Sequence, residues 1–198
     1  MKPILVKLGG SLYGKDVLRS WLAAAAEAAG PVIVVPGGGP FADAVRVAEP
    51  AMGFSGRAAH RMAILGMEQA GEALVDLEPR LARLRSAADL AAGRSGVWLP
   101  MALAGEAPDI PAIWDVTSDS LTCWLGMRLE AMAILLVKAA NSPPEGSGPE
   151  DWAAAGLVDA AFPSFCRRFA GPVRCVHATV AVQQPGILSE FFREVEPA

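Results

Sequence analysis

The sequence is poor in the residue patterns that usually announce a function. Its three cysteines, Cys123, Cys166 and Cys175, are odd in number and none sits in a CxxC pair. That argues against a disulfide framework or a zinc site and fits a reducing compartment. The two histidines, His60 and His177, are far apart and lack metal-ligand spacing. Each reads as a structural or surface residue, so no metal site is expected. Long apolar runs are missing too. Ala131–Val137 is among the longest, whereas a membrane span needs about 18–20 residues. The opening MKPILVKLGGS carries one short apolar stretch between lysines, too little for a secretory signal. A soluble, cytoplasmic protein is expected. Charge is also scarce, at 19% with a net of −4, and the basic residues are scattered apart from a modest cluster around Pro79–Arg85. Nucleic acid is therefore not an expected partner.

What is present is apolar: 53% of the 198 residues are hydrophobic. That composition excludes disorder for the bulk of the chain. The length suits a single domain over residues 1–198.

The first fifty residues alternate in kind. Pro3–Leu8 is a short apolar run that ends in Gly-Gly, and Val32–Val35 is another that ends in Pro-Gly-Gly-Gly-Pro. Between them, Lys15–Ala29 places Val17, Leu18, Trp21, Leu22 and Ala25 at helical spacing, and Gly30-Pro31 stops it. A second helix starts over Phe41–Val47. Strand, glycine turn, helix, repeated, is the βαβ signature of an α/β domain with a parallel sheet. Both glycine turns then lie at carboxyl ends of strands, where open α/β sheets bind ligands.

Further along, 58–77 reads as one long helix that Gly71 extends or breaks. Residues 81–92 are ambiguous and end in helix. A short strand is expected over 96–99, a helix over 118–130, and a strand over 133–137. The polar stretch 141–148 reads as a loop, 151–155 and 164–169 as short helices, and 174–182 as a half-exposed edge strand.

Four elements could carry chemistry. Lys7-Leu8-Gly9-Gly10-Ser11 puts a lysine at a strand end beside glycines that let an anion approach the backbone. Gly37, Gly38 and Gly39 again bare the backbone after a buried strand. Trp114-Asp115-Val116-Thr117-Ser118-Asp119-Ser120 concentrates carboxylates and hydroxyls where a helix begins. Ser118 or Asp119 could equally be that helix's cap. Lys138 directly follows a buried strand. The chain has only four lysines, and two of them hold such positions. No nucleophile–base pair stands out. A Rossmann oxidoreductase fits poorly, because Gly9-Gly10-Ser11 lacks GxGxxG.

Taken in order, these four elements resemble the amino acid kinase family, and the match runs over residues 3–140. The resemblance implies a three-layer αβα sandwich with a mostly parallel sheet. It implies phosphoryl transfer from ATP with Mg2+ to an acid or a phosphate. It assigns Lys7, Asp119 and Lys138 to catalysis, with Asp119 orienting the lysines, and Gly9, Gly10, Ser11, Gly37, Gly38 and Gly39 to the phosphates. A homodimer is implied as well. Within the family, the 114–122 stretch and the helix over 59–71 are most similar to the small archaeal-type kinases of methanofuran biosynthesis. Those convert [5-(aminomethyl)furan-3-yl]methyl phosphate to its diphosphate. That narrower likeness casts Thr117 and Ser118 as substrate contacts, Asp115 or Asp119 as partner for the substrate amine, and Trp114 or Phe54 as a wall for its ring. The chain departs from the family after Lys138, where the usual nucleotide-pocket segment and a second lysine have no match. Arg167, Arg168 or Arg174 could substitute for that lysine. The departure raises an alternative: a degenerate kinase fold that binds a ligand or joins a complex without phosphotransfer.

Overall fold

The computed structural model describes residues 1–139, 143–144 and 146–195. In chain order the elements are β1 (Ile4–Leu8), α1 (Asp16–Glu27), β2 (Val32–Pro36), α2 (Gly39–Met52), α3 (Gly56–Leu77), β3 (Ala82–Leu84) and α4 (Ala87–Ala91). They continue with β4 (Gly96–Trp98), α5 (Met101–Ala104), α6 (Ser118–Leu129), β5 (Ala133–Lys138) and α7 (Pro149–Ala154). The chain closes with α8 (Phe162–Cys166), β6 (Val173–His177), α9 (Val180–Gln183) and α10 (Ile187–Val195).

The six strands form one sheet in the order β3-β4-β2-β1-β5-β6, and every pairing is parallel. Strands in such a sheet are covered on both faces and read as continuous apolar runs. That is why β1, β2 and β5 are buried at every residue. Alternate residues feed two separate cores. Ile4, Val6 and Leu8 face α1 and α10, where Trp21, Leu22, Leu188, Phe191 and Phe192 pack. Leu5, Ile33, Val35, Ile134 and Leu136 face Ile64 and Met67 of α3, together with Leu121 and Trp124 of α6. The architecture is the expected αβα sandwich.

The parity of the strands has a consequence for charge. Lys7 follows Leu5 by two residues and Lys138 follows Leu136 by two, so both lysines share the α3/α6 face. β1 and β5 pair directly, with Leu8 opposite Val137.

Several boundaries differ from the sequence reading. α3 runs unbroken through Gly71, because its glycines serve packing rather than termination. A Cβ on Gly71 would stand 2.6 Å from the Leu99 side chain. Ser55 starts this helix by accepting a bond from the Ala58 amide at 3.3 Å. The ambiguous 81–92 stretch holds a short strand before its helix. The strand expected over 174–182 ends at His177. There the Ala178 carbonyl accepts the Trp21 indole N–H at 2.7 Å, which ties the chain to α1 before α9 begins. The apolar face of α10 then covers the first core, a helix the sequence reading did not foresee. The short helices open earlier than expected, at Pro149 and Phe162, each with proline in its first turn, the favoured place for that residue. The polar loop over 141–148 lies partly outside the described residues.

Candidate active site

The first glycine turn leaves β1, makes a short 3-10 turn over Gly10–Leu12, and packs on the second glycine turn leaving β2. The Gly37 amide donates to the Leu8 carbonyl at 2.8 Å. A Cβ on Gly37 would stand 2.5 Å from the Gly10 nitrogen, and Gly39 adopts a left-handed φ of 50°. No other residue allows two backbones to pass so closely while one bends that way. Tyr13 braces the junction by donating its hydroxyl to the Gly37 carbonyl at 2.5 Å. Burial pushes the Tyr13 phenol above its ordinary range, so it remains a donor.

Beside this double turn, three charged side chains converge. Asp119 Oδ1 lies 2.9 Å from Lys7 Nζ and 2.7 Å from Lys138 Nζ. All three side chains are at most 10% exposed. Burial alone would raise the Asp119 pKa, but the two ammonium groups outweigh it and hold the carboxyl below the usual range. Burial, aided by the Lys7 charge, lowers the Lys138 pKa against the pull of Asp119. Two cations against one anion leave a buried positive charge that a third, anionic partner would satisfy. Gly9 stands next to it: a Cβ there would lie 3.2 Å from Lys7 Nζ.

Asp119 is presented by the first turn of α6. That turn is held by Asp159, which accepts from the Thr117 amide at 2.9 Å, the Thr117 hydroxyl at 2.8 Å and the Ser120 amide at 3.0 Å. The Ser120 hydroxyl donates to its other oxygen. The helix cap is thus Thr117, with a distant carboxylate completing it, rather than Ser118 or Asp119. Asp159 carried no signal in the sequence, since it is an isolated aspartate forty residues from its partners.

A cavity of about 440 Å3 opens from the glycine turns. Gly10, Ser11, Gly37, Gly38 and Gly39 line one end, and Trp114, Thr117 and Ser118 line another wall. Ile64, Met67, Val116 and Leu121 form its apolar floor. Asp43, Arg46 and His60 also line it, and none of these three was singled out as a site residue from the sequence. The one available signal for Asp43 and Arg46 was their position one and two turns after the glycines. His60 Nε2 has no hydrogen-bond partner among the described residues, and burial lowers the imidazole pKa. Its place on the cavity wall differs from the plain structural or surface position expected of it.

Two candidates fall elsewhere. Phe54 is half-buried in the α2–α3 connection, outside the cavity lining, and Asp115 is exposed, also outside it. The three arginines considered as substitutes for a second lysine are engaged at the surface. Arg167 pairs with Glu150, Arg174 with Glu194, and Arg168 lies over Phe165. The nucleotide-segment departure expected after Lys138 begins at Ala139, and residues 140–142 and 145 lie outside the described ones.

No protein-family model matches the chain. One characterised relative is the [5-(aminomethyl)furan-3-yl]methyl phosphate kinase of Methanocaldococcus jannaschii, 27% identical over 139 residues. That match covers 67% of this chain and 63% of the relative, so the chain spans less than two thirds of the relative's length. Among solved structures, the UMP kinase of Bacillus anthracis superposes with a TM-score of 0.66 at 15% identity, covering 98% of this chain and 92% of that one. The uridylate kinase of Archaeoglobus fulgidus gives 0.64 at 13% identity, covering 92% and 96%. Fold and sequence relative together bear out the likeness to the amino acid kinase family.

Proposed function

We propose that this chain is an ATP-dependent small-molecule kinase whose phosphoryl acceptor is a phosphate monoester. The acceptor we favour is [5-(aminomethyl)furan-3-yl]methyl phosphate, and the product its diphosphate. The observation that carries the reading is the convergence of Lys7 and Lys138 on Asp119 beside two glycine turns. The name of the M. jannaschii relative supports the choice of acceptor.

Phosphoryl transfer needs positioning and charge neutralisation more than covalent chemistry. Asp119 holds both ammonium groups in one place, and their surplus charge faces the phosphoryl group in flight. An oxygen of the acceptor phosphate attacks the γ-phosphorus as the bond to the β-phosphate oxygen breaks, and ADP leaves with that electron pair. The bare backbone of Gly9, Gly10, Gly37, Gly38 and Gly39, with Ser11, surrounds the phosphates. Thr117 and Ser118 contact the acceptor, and the cavity wall at Trp114 meets its ring. Asp119 is committed to lysines, and no cluster of three metal-binding side chains stands among the described residues. That donor set suits Mg2+ carried mainly by the nucleotide phosphates. When bound, the ion supplies further neutralisation of phosphate charge.

The reading extends to setting. No helix among the described residues is long and apolar enough to cross a membrane, in keeping with a cytoplasmic enzyme of C1-cofactor synthesis. The exposed apolar residues Phe41, Val47, Met52, Met62 and Leu65 of α2 and α3 support a homodimer through these helices. Light scattering showing only a monomer would overturn that part.

Purified protein given MgATP and the aminomethylfuran phosphate should release ADP stoichiometrically with diphosphate. Absence of turnover with this and a panel of other phosphorylated and carboxylic acceptors would overturn the kinase reading. It would favour a binding role without phosphotransfer.

A further inference from the structure

The proposed phosphoryl acceptor carries a primary amine, and an ammonium group entering a cavity calls for a carboxylate. The carboxylates near the site are mostly committed. Asp119 is held by two lysines, Asp159 by the start of α6, and Glu49 by the Trp114 indole N–H at 2.5 Å. Asp115 does not reach the cavity. Among the described residues lining the cavity, Asp43 is the one carboxylate.

Asp43 lies on the first cavity-facing turn of α2. Its Oδ1 accepts from Arg46 at 2.9 Å, and Oδ2 has no hydrogen bond among the described residues. Arg46 is held from a second side, since its guanidinium carbon stands 4.5 Å from the centre of the Trp114 ring. The rim of the cavity is therefore an alternating set of charged and aromatic groups with one carboxylate oxygen to spare. Besides Asp43 and Arg46 the described lining holds His60, which burial pushes toward its neutral form.

Spacing fits the proposed ligand. Asp43 follows Gly39 by four positions, a rise of about 6 Å along the helix. That is comparable to a five-membered ring with a one-carbon arm on each side. With its phosphate at the glycine turn, such a molecule would extend along a lining that includes Ile64, Met67, Val116, Leu121 and Asp43.

The geometry points to Asp43 as the residue that receives the ammonium group of the phosphoryl acceptor and selects aminated phosphate monoesters over neutral ones of the same shape. This inference rests on the proposed function. It assigns the amine to a residue other than Asp115 or Asp119, the two that the sequence offered.

The test compares [5-(aminomethyl)furan-3-yl]methyl phosphate with its 5-ethyl counterpart, which replaces CH2NH3+ by CH2CH3. Calorimetry measures binding of each, and ADP release measures turnover, for wild type, Asp43→Asn and Asp115→Asn. The Asp43 side chain is 69% exposed, so the wild-type preference for the amine is expected to be about two- to fivefold. Asp43→Asn should bring that ratio close to one, while Asp115→Asn leaves the ratio intact. A ratio that survives Asp43→Asn overturns the inference. So does an equal loss for both ligands, which would mark Asp43 as merely holding Arg46. If the wild type binds the amine preferentially through Asp43 but turns over neither ligand, the assignment stands and the kinase reading falls. If it binds neither, both fall.

Discussion

Two aspartates meet at the start of α6 and are used in opposite ways. Asp159 is surrounded by neutral donors, the amides and hydroxyls of Thr117 and Ser120. Its charge is spent within the fold, as a helix cap. Asp119, on the turn that Asp159 holds, faces two buried ammonium groups and leaves them in surplus. A cap is complete without a ligand. A pair of buried cations sharing one anion is not, and the cost of keeping them dry is offset only where a further anion arrives. The difference separates a carboxylate used up in holding the fold from one that gathers charge, although both act at the same turn of α6.

The comparison can be broken by mutation. Lys7→Ala should lower turnover by three orders of magnitude or more, about 4 kcal/mol of transition-state stabilisation. Its fold should survive, because Lys138 still pairs Asp119. ADP-release kinetics alongside thermal melting checks both halves. An active Lys7→Ala would remove the distinction altogether.

Asp119→Asn leaves two buried ammonium groups without a counter-ion and should destabilise the protein by about 3–5 kcal/mol. The sign of its pH dependence follows from the lysines. Burial disfavours the charged form of Lys138 in the fold, and more so without Asp119. The penalty is therefore full at neutral pH and relieved as pH rises toward the unfolded lysine value. The stability gap between variant and wild type, measured in denaturant, should narrow from pH 7 to pH 10. In wild type the contribution of Asp119 is present above the ordinary aspartate pKa and is lost as pH falls through its depressed folded value.

Asp159→Ala should cost about 1–3 kcal/mol through the lost cap and the donors left unpaired. The Lys7–Lys138 charge remains, so the effect on turnover should be smaller than that of Lys7→Ala. A reversed order, with Asp159→Ala the more damaging to catalysis, would make Asp159 part of the chemistry. The smallest effect belongs to the surface. Glu72 pairs with Arg83 and Arg85 at half-exposed positions. Glu72→Gln should shift stability by no more than ~1 kcal/mol, and less at high salt.

Legibility from sequence followed locality. β1, β2 and β5 were readable because burial on both faces leaves uninterrupted apolar runs. The glycine turns were readable because close backbone approach demands glycine. α10 carries a signal in Leu188, Phe191 and Phe192 at helical spacing, although it follows a stretch whose alternation points to a longer edge strand. That strand ends where the Trp21 indole meets Ala178, a contact between residues 157 positions apart. The grouping of Lys7, Asp119 and Lys138 was accessible through family likeness. Asp159, Asp43 and the cavity position of His60 were not, because no local pattern marks an isolated residue whose partners come from elsewhere in the chain.

The sequence by itself determined the α/β class, the strand–glycine turn–helix order and the parity that sends both lysines to one face of the sheet. These follow from periodicity and backbone sterics, which act over a few residues. Only the tertiary structure decided that Asp159 completes the cap of α6 and which residues wall the cavity. A charge chooses its partner by distance in space, and distances such as that from Asp119 to Lys7 exist only after the strands have paired.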